Sequence, residues 1–507
     1  MKVSRLLIAG LLAAVWIALP LQAALAQDAS PVSGELLARF EAIIRSEMAH
    51  YHIPGAAVAV IQEGEVVYSQ GFGVRNVATG EPFTPQTQFS VGSTTKSMTS
   101  LVIAQLVDEG VLSWDTPVVE LYPAFKTSDP GLTARLTVRD LMSMGTGLEP
   151  DAMKSLAWGE ATEADVFSAI ATMQIAGEYR QHYAYNNEVY ASAAYVAAMA
   201  AGQEPTLAVY EQLMQARLFE PAGMTSTLIT DDASLLDANH SLSYSFTLID
   251  AIAEPDLALR APIHVVAPAG GAWSTLEDMS RYVITQMNGG ITPDGARIVS
   301  AANLATTWEP QVTMPANGPG IERLSYGMGW VIGSYEGVPF RYHDGGWAGY
   351  RTMMAIFPDS QTGLIIFANH VFGDLATYAL TYSFAELLEG RDPAALLDEF
   401  RALFAESFGS IEAQLASFPP PEVKAEEVNP LLGRYEQGWT VELRDDSRLW
   451  LVRPNWEFVL RPLPGGKLYV VASGGALGAV VQFTLEGDQE TMSVGFGDRQ
   501  WSFAKIE

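Results

Sequence analysis

No cysteine occurs among the 507 residues. That excludes a thiol nucleophile, disulfide staples, thiolate metal sites and a lipid-anchored N-terminal cysteine. Basic residues are scarce as well: 29 Lys and Arg stand against 58 Asp and Glu, a formal net charge of −29. A surface that tracks phosphates needs clustered Lys and Arg, so nucleic acid is excluded as a partner and strongly anionic membranes are disfavoured. The acidity reads as a device that keeps an exported chain soluble. No His-Glu-x-x-His is present and His343 has no second His or carboxylate at a metal-site spacing, so neither a metal nor a cofactor is expected. A Gly-x-Ser-x-Gly elbow is missing too, which counts against an α/β-hydrolase.

Long apolar runs are confined to the N-terminus. Lys2 and Arg5 precede the stretch Leu6 to Leu19, and Ala24-Leu25-Ala26 supplies a small-x-small cleavage pattern. The stretch, about 14 residues, falls short of the roughly 20 that span a bilayer as a helix. Residues 1–26 therefore read as a signal peptide cleaved near Ala26, with a membrane anchor as the competing reading. The mature chain is expected to be periplasmic or secreted, without an integral membrane segment. Hydrophobic residues make up 49% of the chain and charged ones 17%, which describes a well-buried protein of two or three domains.

Periodicity then divides the chain. Residues 34 to 48 read as an amphipathic helix, and Ala56–Ile61 and Val66–Phe72 as strands about a Glu63-Gly64 turn. Met98, Leu101, Val102 and Leu106 place an apolar stripe on a helix starting near Ser93 and stopped by Gly110. Residues 115–265 look mainly helical, and Ser274 and Thr275 head two overlapping capping boxes. Strand character returns at Gly327–Ser334, Val338–His343, Tyr350–Phe357 and Leu364–Asn369, before a helix over 376–388. The order predicts an α/β domain over 27–390, its sheet flanked by helices, with the helical lobe inserted. A linker over 391–428 contains Pro419-Pro420-Pro421. Short alternating strands over 429–507, with turns at Asp445-Asp446, Pro464-Gly465-Gly466 and Gly487-Asp488, predict a small antiparallel β-barrel.

Three motifs could carry chemistry. The first is Ser93-Thr94-Thr95-Lys96. On a helix, Lys96 falls one turn beyond Ser93 on the same face, and the helix N-terminus offers N–H groups where an oxyanion would form. A lysine in an apolar setting loses proton affinity and can act as a base. The bland alternative is a helix cap with a solvated lysine. A second match, Ser502-x-x-Lys505, lies in an alternating strand, where residues three apart point to opposite faces. The next motif, Tyr185-Asn186-Asn187, offers a phenol for proton relay and an amide for a substrate carbonyl; alone it is as well read as a polar turn before a helix. The third is His343-Asp344-Gly345-Gly346, whose glycines permit close backbone approach, with the Gly346 N–H available to an oxyanion.

Ser-x-x-Lys, Tyr-x-Asn and His-x-Gly, in that order, resemble the serine β-lactamase and D,D-peptidase superfamily, in particular its class C-like, peptidase S12 branch of D-aminopeptidases and esterases. Supporting stretches include Phe89-Ser90-Val91-Gly92-Ser93, Leu136-Thr137-Val138-Arg139-Asp140-Leu141 with Thr146-Gly147-Leu148, and Tyr326-Gly327-Met328-Gly329-Trp330. The resemblance implies that Ser93 attacks a carbonyl while Lys96 and Tyr185 handle protons. It implies further that Asn187 orients the substrate amide and that the N–H groups of Ser93 and Gly346 form the oxyanion hole. His343 and Gly345 would line the substrate strand.

Two departures stand out. His343 replaces the lysine usual in Lys-Thr-Gly, and a histidine, with a reference pKa of about 6.5, is mostly neutral at pH 7. That points away from β-lactams and D-Ala-D-Ala termini toward short D-amino-acid peptides, amides or esters. Met144-Gly145 replaces a His-containing stretch. The expected function is an exported serine hydrolase acting through an acyl-enzyme. The alternatives are a β-lactamase or D-Ala-D-Ala carboxypeptidase, and a non-catalytic receptor on the same fold. The partner is a small-molecule or short-peptide substrate, and a homo-oligomer stays open. The C-terminal part resembles the lipocalin-like barrel of some relatives. Its Trp450, Trp456, Tyr469, Phe483, Phe496 and Trp501 read as core before they read as a ligand cavity.

Overall fold

The computed structural model describes residues 32–150, 161–230, 232–245, 254–255, 264–316, 320–453, 456–464, 468–471, 479–486, 489–496 and 499–506. The leader over 1–26 and the turns at Gly465-Gly466 and Gly487-Asp488 lie outside the described residues, as do the side chains of Trp456 and Phe496. Among the described residues no helix is long and apolar enough to cross a membrane.

A nine-stranded antiparallel sheet organises the larger part. Its strands are β1 (Gly55–Gln62), β2 (Glu65–Asn76), β3 (Glu81–Pro82), β4 (Val312–Met314), β5 (Ile321–Tyr326), β6 (Val331–Tyr335), β7 (Val338–Trp347), β8 (Tyr350–Phe357) and β9 (Thr362–Ala368). They lie in the order β3-β2-β1-β9-β8-β7-β6-β5-β4, so the two ends of this part of the chain meet where β1 pairs with β9. Glu63 and Gly64 both have positive φ, as do Glu336 and Gly337. Each pair closes a two-residue hairpin in the twist-matched form.

The central strands are covered on both faces, which is why they read as continuous apolar runs without alternation. Every residue of β9 is buried. On one face Phe367 stacks on Phe89 at 4.8 Å, and Gly363 closes on Val283 of the helix Leu276–Met287. On the other, Phe357 meets Phe384 of the helix Gly373–Leu388, which meets Phe40 of α1 (Gly34–His50). The mixed α/β architecture expected from the sequence is observed, with the helices of the 115–265 region between β3 and β4.

Three local expectations need correction. The strand read as Gly327–Ser334 starts later: Val331–Ser334 lies in β6, but Gly327 to Trp330 is the turn between β5 and β6. Gly329 has φ +81° there, and a Cβ on it would come within 2.8 Å of the Lys96 carbonyl. The helix near Ser93 is not striped: α2 (Thr95–Asp108) is buried on every side from Thr95 to Leu106. Of the two capping boxes only Thr275 acts as the cap, accepting from the Asp278 N–H, while the Ser274 hydroxyl pairs with that of Thr227.

The helix Ala394–Ser417 places Leu396, Leu397, Phe400 and Phe404 in the same core as the sheet. Its Arg401 pairs with Glu47, which is wholly buried. A second core follows. Eight antiparallel strands from Gly433 to Ala504 lie in sequence order, and the Tyr435–Lys505 bridge brings the last back to the first. The expected barrel is observed. Tyr435, Trp439, Phe458, Tyr469 and Phe503 fill its core, with Phe483 and Trp501 packed beside it. Trp450 lies on its outer face beside Phe418.

Candidate active site

Ser93 sits in a single 3-10 turn, Gly92–Thr94, that runs directly into α2. In such a turn residues three apart eclipse one another, which sets Lys96 over Ser93. Neighbouring hydroxyls are spent on the backbone: Thr94 Oγ1 donates to Val91 O, Thr95 Oγ1 to Gly92 O and Ser97 Oγ to Thr94 O. Ser93 caps nothing. Its Oγ lies 3.2 Å from Lys96 Nζ and accepts from Tyr185 Oη at 2.8 Å.

Lys96 is fully buried. Its ammonium donates to Asn187 Oδ1 at 2.6 Å and to the Ala269 carbonyl at 2.7 Å, and lies 4.6 Å from the centre of the Tyr185 ring. With Asn187 Oδ1 facing Lys96, the amide nitrogen is the end of that side chain that can turn to a substrate. The preceding Asn186 has the structural task of capping the helix Asn187–Ala200, accepting from the Val189 N–H at 2.8 Å.

Glycine explains how a second backbone segment reaches Ser93. A Cβ on Gly345 would lie 2.1 Å from Val91 O and 3.2 Å from Ser93 N, and one on Gly92 only 2.9 Å from Gly346 N. No side chain fits between the serine turn and β7, so the Ser93 and Gly346 amides belong to directly apposed backbones.

The loop that presents Tyr185 is held from below. Asp140, 1% exposed, accepts from Thr137, from Arg180 Nε at 2.7 Å and from the Tyr179 hydroxyl at 2.7 Å. Gly147, with φ +80°, lets the loop approach so that a Cβ would lie 2.6 Å from Gly177 O. Met144 carries its own positive φ and takes the Asn186 N–H on its sulfur at 3.3 Å. The Met144-Gly145 departure therefore sits under the tyrosine loop, against Asn186 and Arg180.

His343 is 1% exposed and both its nitrogens are engaged. Nδ1 lies 2.6 Å from the Asp344 carbonyl, which can only accept, so Nδ1 carries the proton. Nε2 accordingly accepts from the Tyr326 hydroxyl at 2.9 Å. Burial, reinforced by the Lys96 charge, drops the imidazole pKa to about 3. It is a neutral wall, not a cation.

Ser93, Tyr185, Tyr326 and His343 line one cavity of about 350 Å3, a volume suited to a small ligand. All seven residues singled out from the sequence come together around it or directly behind it. Sequence reasoning missed Tyr326 as the partner of His343, and missed Asp344, Tyr183, Tyr342 and Tyr378 in the cavity wall. Tyr326 and Asp344 stand inside motifs already noted. Tyr378, on a helix that packs against the sheet, carried no local signal.

A family model described as Beta-lactamase matches residues 40–385. A protein named Unguisins hydrolase ungD' from Aspergillus campestris (strain IBT 28561) is 27% identical over 356 residues, 68% of this chain and 64% of that protein. The chain thus spans somewhat less than two thirds of that relative's length. Penicillin-binding protein 4 of Amycolatopsis lactamdurans is 27% identical over 401 residues, 79% of this chain and 96% of its own. The octameric penicillin-binding protein homologue from Pyrococcus abyssi superposes with a TM-score of 0.59 at 19% identity, over 92% of this chain and 100% of that one. At that identity the likeness is one of fold.

Proposed function

We propose, from the premise that this chain belongs to the beta-lactamase family, that it is an exported serine hydrolase that cleaves short peptides, amides or esters through an acyl-enzyme on Ser93. The observation that carries the proposal is the hydrogen-bonded contact of one hydroxyl, Ser93 Oγ, with both Lys96 Nζ and Tyr185 Oη. A phenol held against a buried ammonium is the arrangement in which a phenolate is stabilised and can take the serine proton.

In the proposed reaction Ser93 Oγ bonds to the substrate carbonyl carbon as its proton passes to the Tyr185–Lys96 pair. The carbonyl electrons move to oxygen, where the N–H groups of Ser93 and Gly346 receive the charge. The intermediate collapses by breaking the bond to the leaving amine or alcohol, which takes the proton back. Water then attacks the ester, its proton following the same route, and releases the acid and Ser93. Asn187 holds the substrate amide.

Substrate choice follows from charge. A neutral His343 where a lysine is usual gives poor support to a substrate carboxylate, which favours amino-acyl peptides and esters over β-lactams. The likeness to a protein named as a hydrolase supports the hydrolase reading in general. The likeness to a penicillin-binding protein supports a second reading, a β-lactamase or D-Ala-D-Ala carboxypeptidase. Turnover of p-nitrophenyl esters, D- and L-aminoacyl p-nitroanilides and a chromogenic cephalosporin separates them. Ester or nitroanilide hydrolysis that disappears in Ser93→Ala is the expected result. Fastest turnover of the cephalosporin would favour the second reading, and full activity in Ser93→Ala would remove both.

A further inference from the structure

The cavity that holds Ser93 also holds a carboxylate to which the mechanism gives no task. Asp344 lines it, together with the rings of Tyr183, Tyr342 and Tyr378. Tyr342 and Tyr378 meet edge to face at 6.0 Å, and Tyr183 lies 6.1 Å from Tyr326, so phenol rings continue around the wall. Among the described residues the Asp344 carboxyl has its own backbone N–H and the Tyr378 hydroxyl as partners and takes part in no ion pair. No lysine or arginine is among the described residues lining the cavity.

Two cations act on Asp344 through space, Lys96 and Arg351, and both are committed elsewhere. Lys96 serves Ser93, Asn187 and the Ala269 carbonyl. Arg351 pairs with Asp374 at 2.6 Å and donates to the carbonyls of Ala348 and Tyr350.

We infer that this wall is a cation subsite: the Asp344 carboxylate, walled by Tyr183, Tyr342 and Tyr378, receives an ammonium group of the substrate while Ser93 attacks its carbonyl. The inference rests on the serine hydrolase reading and sharpens it to substrates with a free amine, such as peptides or esters with an unblocked N-terminus. Carboxylate and aromatic faces are the two groups that recognise an ammonium once it leaves water. Burial pushes the Asp344 carboxyl above the usual carboxylate range against the pull of Lys96 and Arg351, neither of which supplies a counter-charge in contact with it. An incoming ammonium supplies one. The bland alternative is that Asp344 merely ties β7 to the helix bearing Tyr378. An Asp344→Asn variant keeps an acceptor for that hydroxyl and removes the charge, so it separates the two roles.

The test times the labelling of Ser93 by a fluorophosphonate on the full chain, with equal concentrations of n-butylammonium, n-butanol or butyrate present. The ammonium is expected to slow labelling several-fold more than the alcohol, and butyrate least. In Asp344→Asn the difference between ammonium and alcohol vanishes, and in Asp344→Glu it returns in part. For the wild type, kcat/KM on alanine p-nitroanilide exceeds that on its N-acetyl form by at least about tenfold, the order of one charge-assisted hydrogen bond. Equal slowing by all three compounds, strongest slowing by butyrate, or discrimination that survives in Asp344→Asn overturns the subsite. The wild-type arms decide the matter even where the variants fold poorly. Absence of any label on Ser93 in folded protein is a different failure, and it overturns the hydrolase reading itself.

Discussion

The chain contains the pattern Ser-x-x-Lys twice, and the two copies behave as different objects. Ser93 and Lys96 stand on a helical turn, where three residues advance the backbone by about 4.5 Å and return to the same face. Their polar atoms lie 3.2 Å apart, with Tyr185 closing on the same hydroxyl. Ser502 and Lys505 stand at the end of the last strand, where three residues advance about 10 Å and change faces. Ser502 faces the hydroxyl of Ser493 at 3.2 Å, and Lys505 pairs with Glu490 at 2.9 Å. Identical residue types at identical spacing bring their polar atoms into contact only where the backbone period returns them to one face.

That contrast can be broken first at the hydroxyls. Ser93→Ala is expected to lower kcat/KM by about 10⁴-fold or more, as loss of a nucleophile does, with folding unchanged by circular dichroism. Ser502→Ala should stay within about twofold of wild type, as exposed substitutions do. Activity that follows Ser502 instead would reverse the assignment.

The lysines come next. Lys96→Met and Tyr185→Phe are each expected to cost about 10²- to 10⁴-fold in kcat, the range for a positioned proton-transfer group. Lys505→Met should leave kcat alone and cost about 1–3 kcal/mol in a denaturant melt of the β-barrel, since it leaves the partly buried Glu490 without its cation.

The oxyanion geometry is tested by Gly345→Ala. Its Cβ would sit 2.1 Å from the Val91 carbonyl, so the serine turn and β7 must separate. A displacement of that kind is expected to lower kcat/KM by about 10²-fold, with KM changed less than kcat.

A last contrast concerns pH-dependent stability. His343 and His370 are buried with pKa values of about 3, against about 6.5 in the unfolded chain. Below pH 6.5 the unfolded chain binds protons that the folded chain refuses. Stability is therefore complete above 6.5 and falls by about 1.4 kcal/mol per pH unit per group as the pH drops toward 3. Urea melts across that window should show the slope, and His370→Asn should reduce it. A flat profile would mean that these imidazoles are protonated in the fold.

What the sequence made legible was local. The turn at Glu63-Gly64, the continuous apolar runs of β1, β8 and β9, and the cap at Thr275 each follow from neighbours within a few residues. Ser93 and Lys96 could be related because a helical turn relates them. What stayed hidden was pairing across the fold. Glu47 meets Arg401 across 354 residues, and nothing near either one announces the other. The clamp of Asp140 on Tyr179 and Arg180, which steadies the Tyr185 loop, joins residues 39 and 40 positions apart. The turn at Gly327–Trp330 was misread as a strand because its apolar residues, Met328 and Trp330, are buried where Gly329 closes on α2 and not by a ladder. For Lys96 an apolar setting and a solvated one both stood open in the sequence, and the fold buries it.

Peptide mapping of the folded chain after fluorophosphonate treatment tests the central claim most directly. A single covalent adduct on the peptide containing Ser93, lost in Ser93→Ala and slowed in Lys96→Met, is the predicted result. An adduct on any other serine, or an unmodified Ser93 in protein that retains hydrolytic activity, would contradict it.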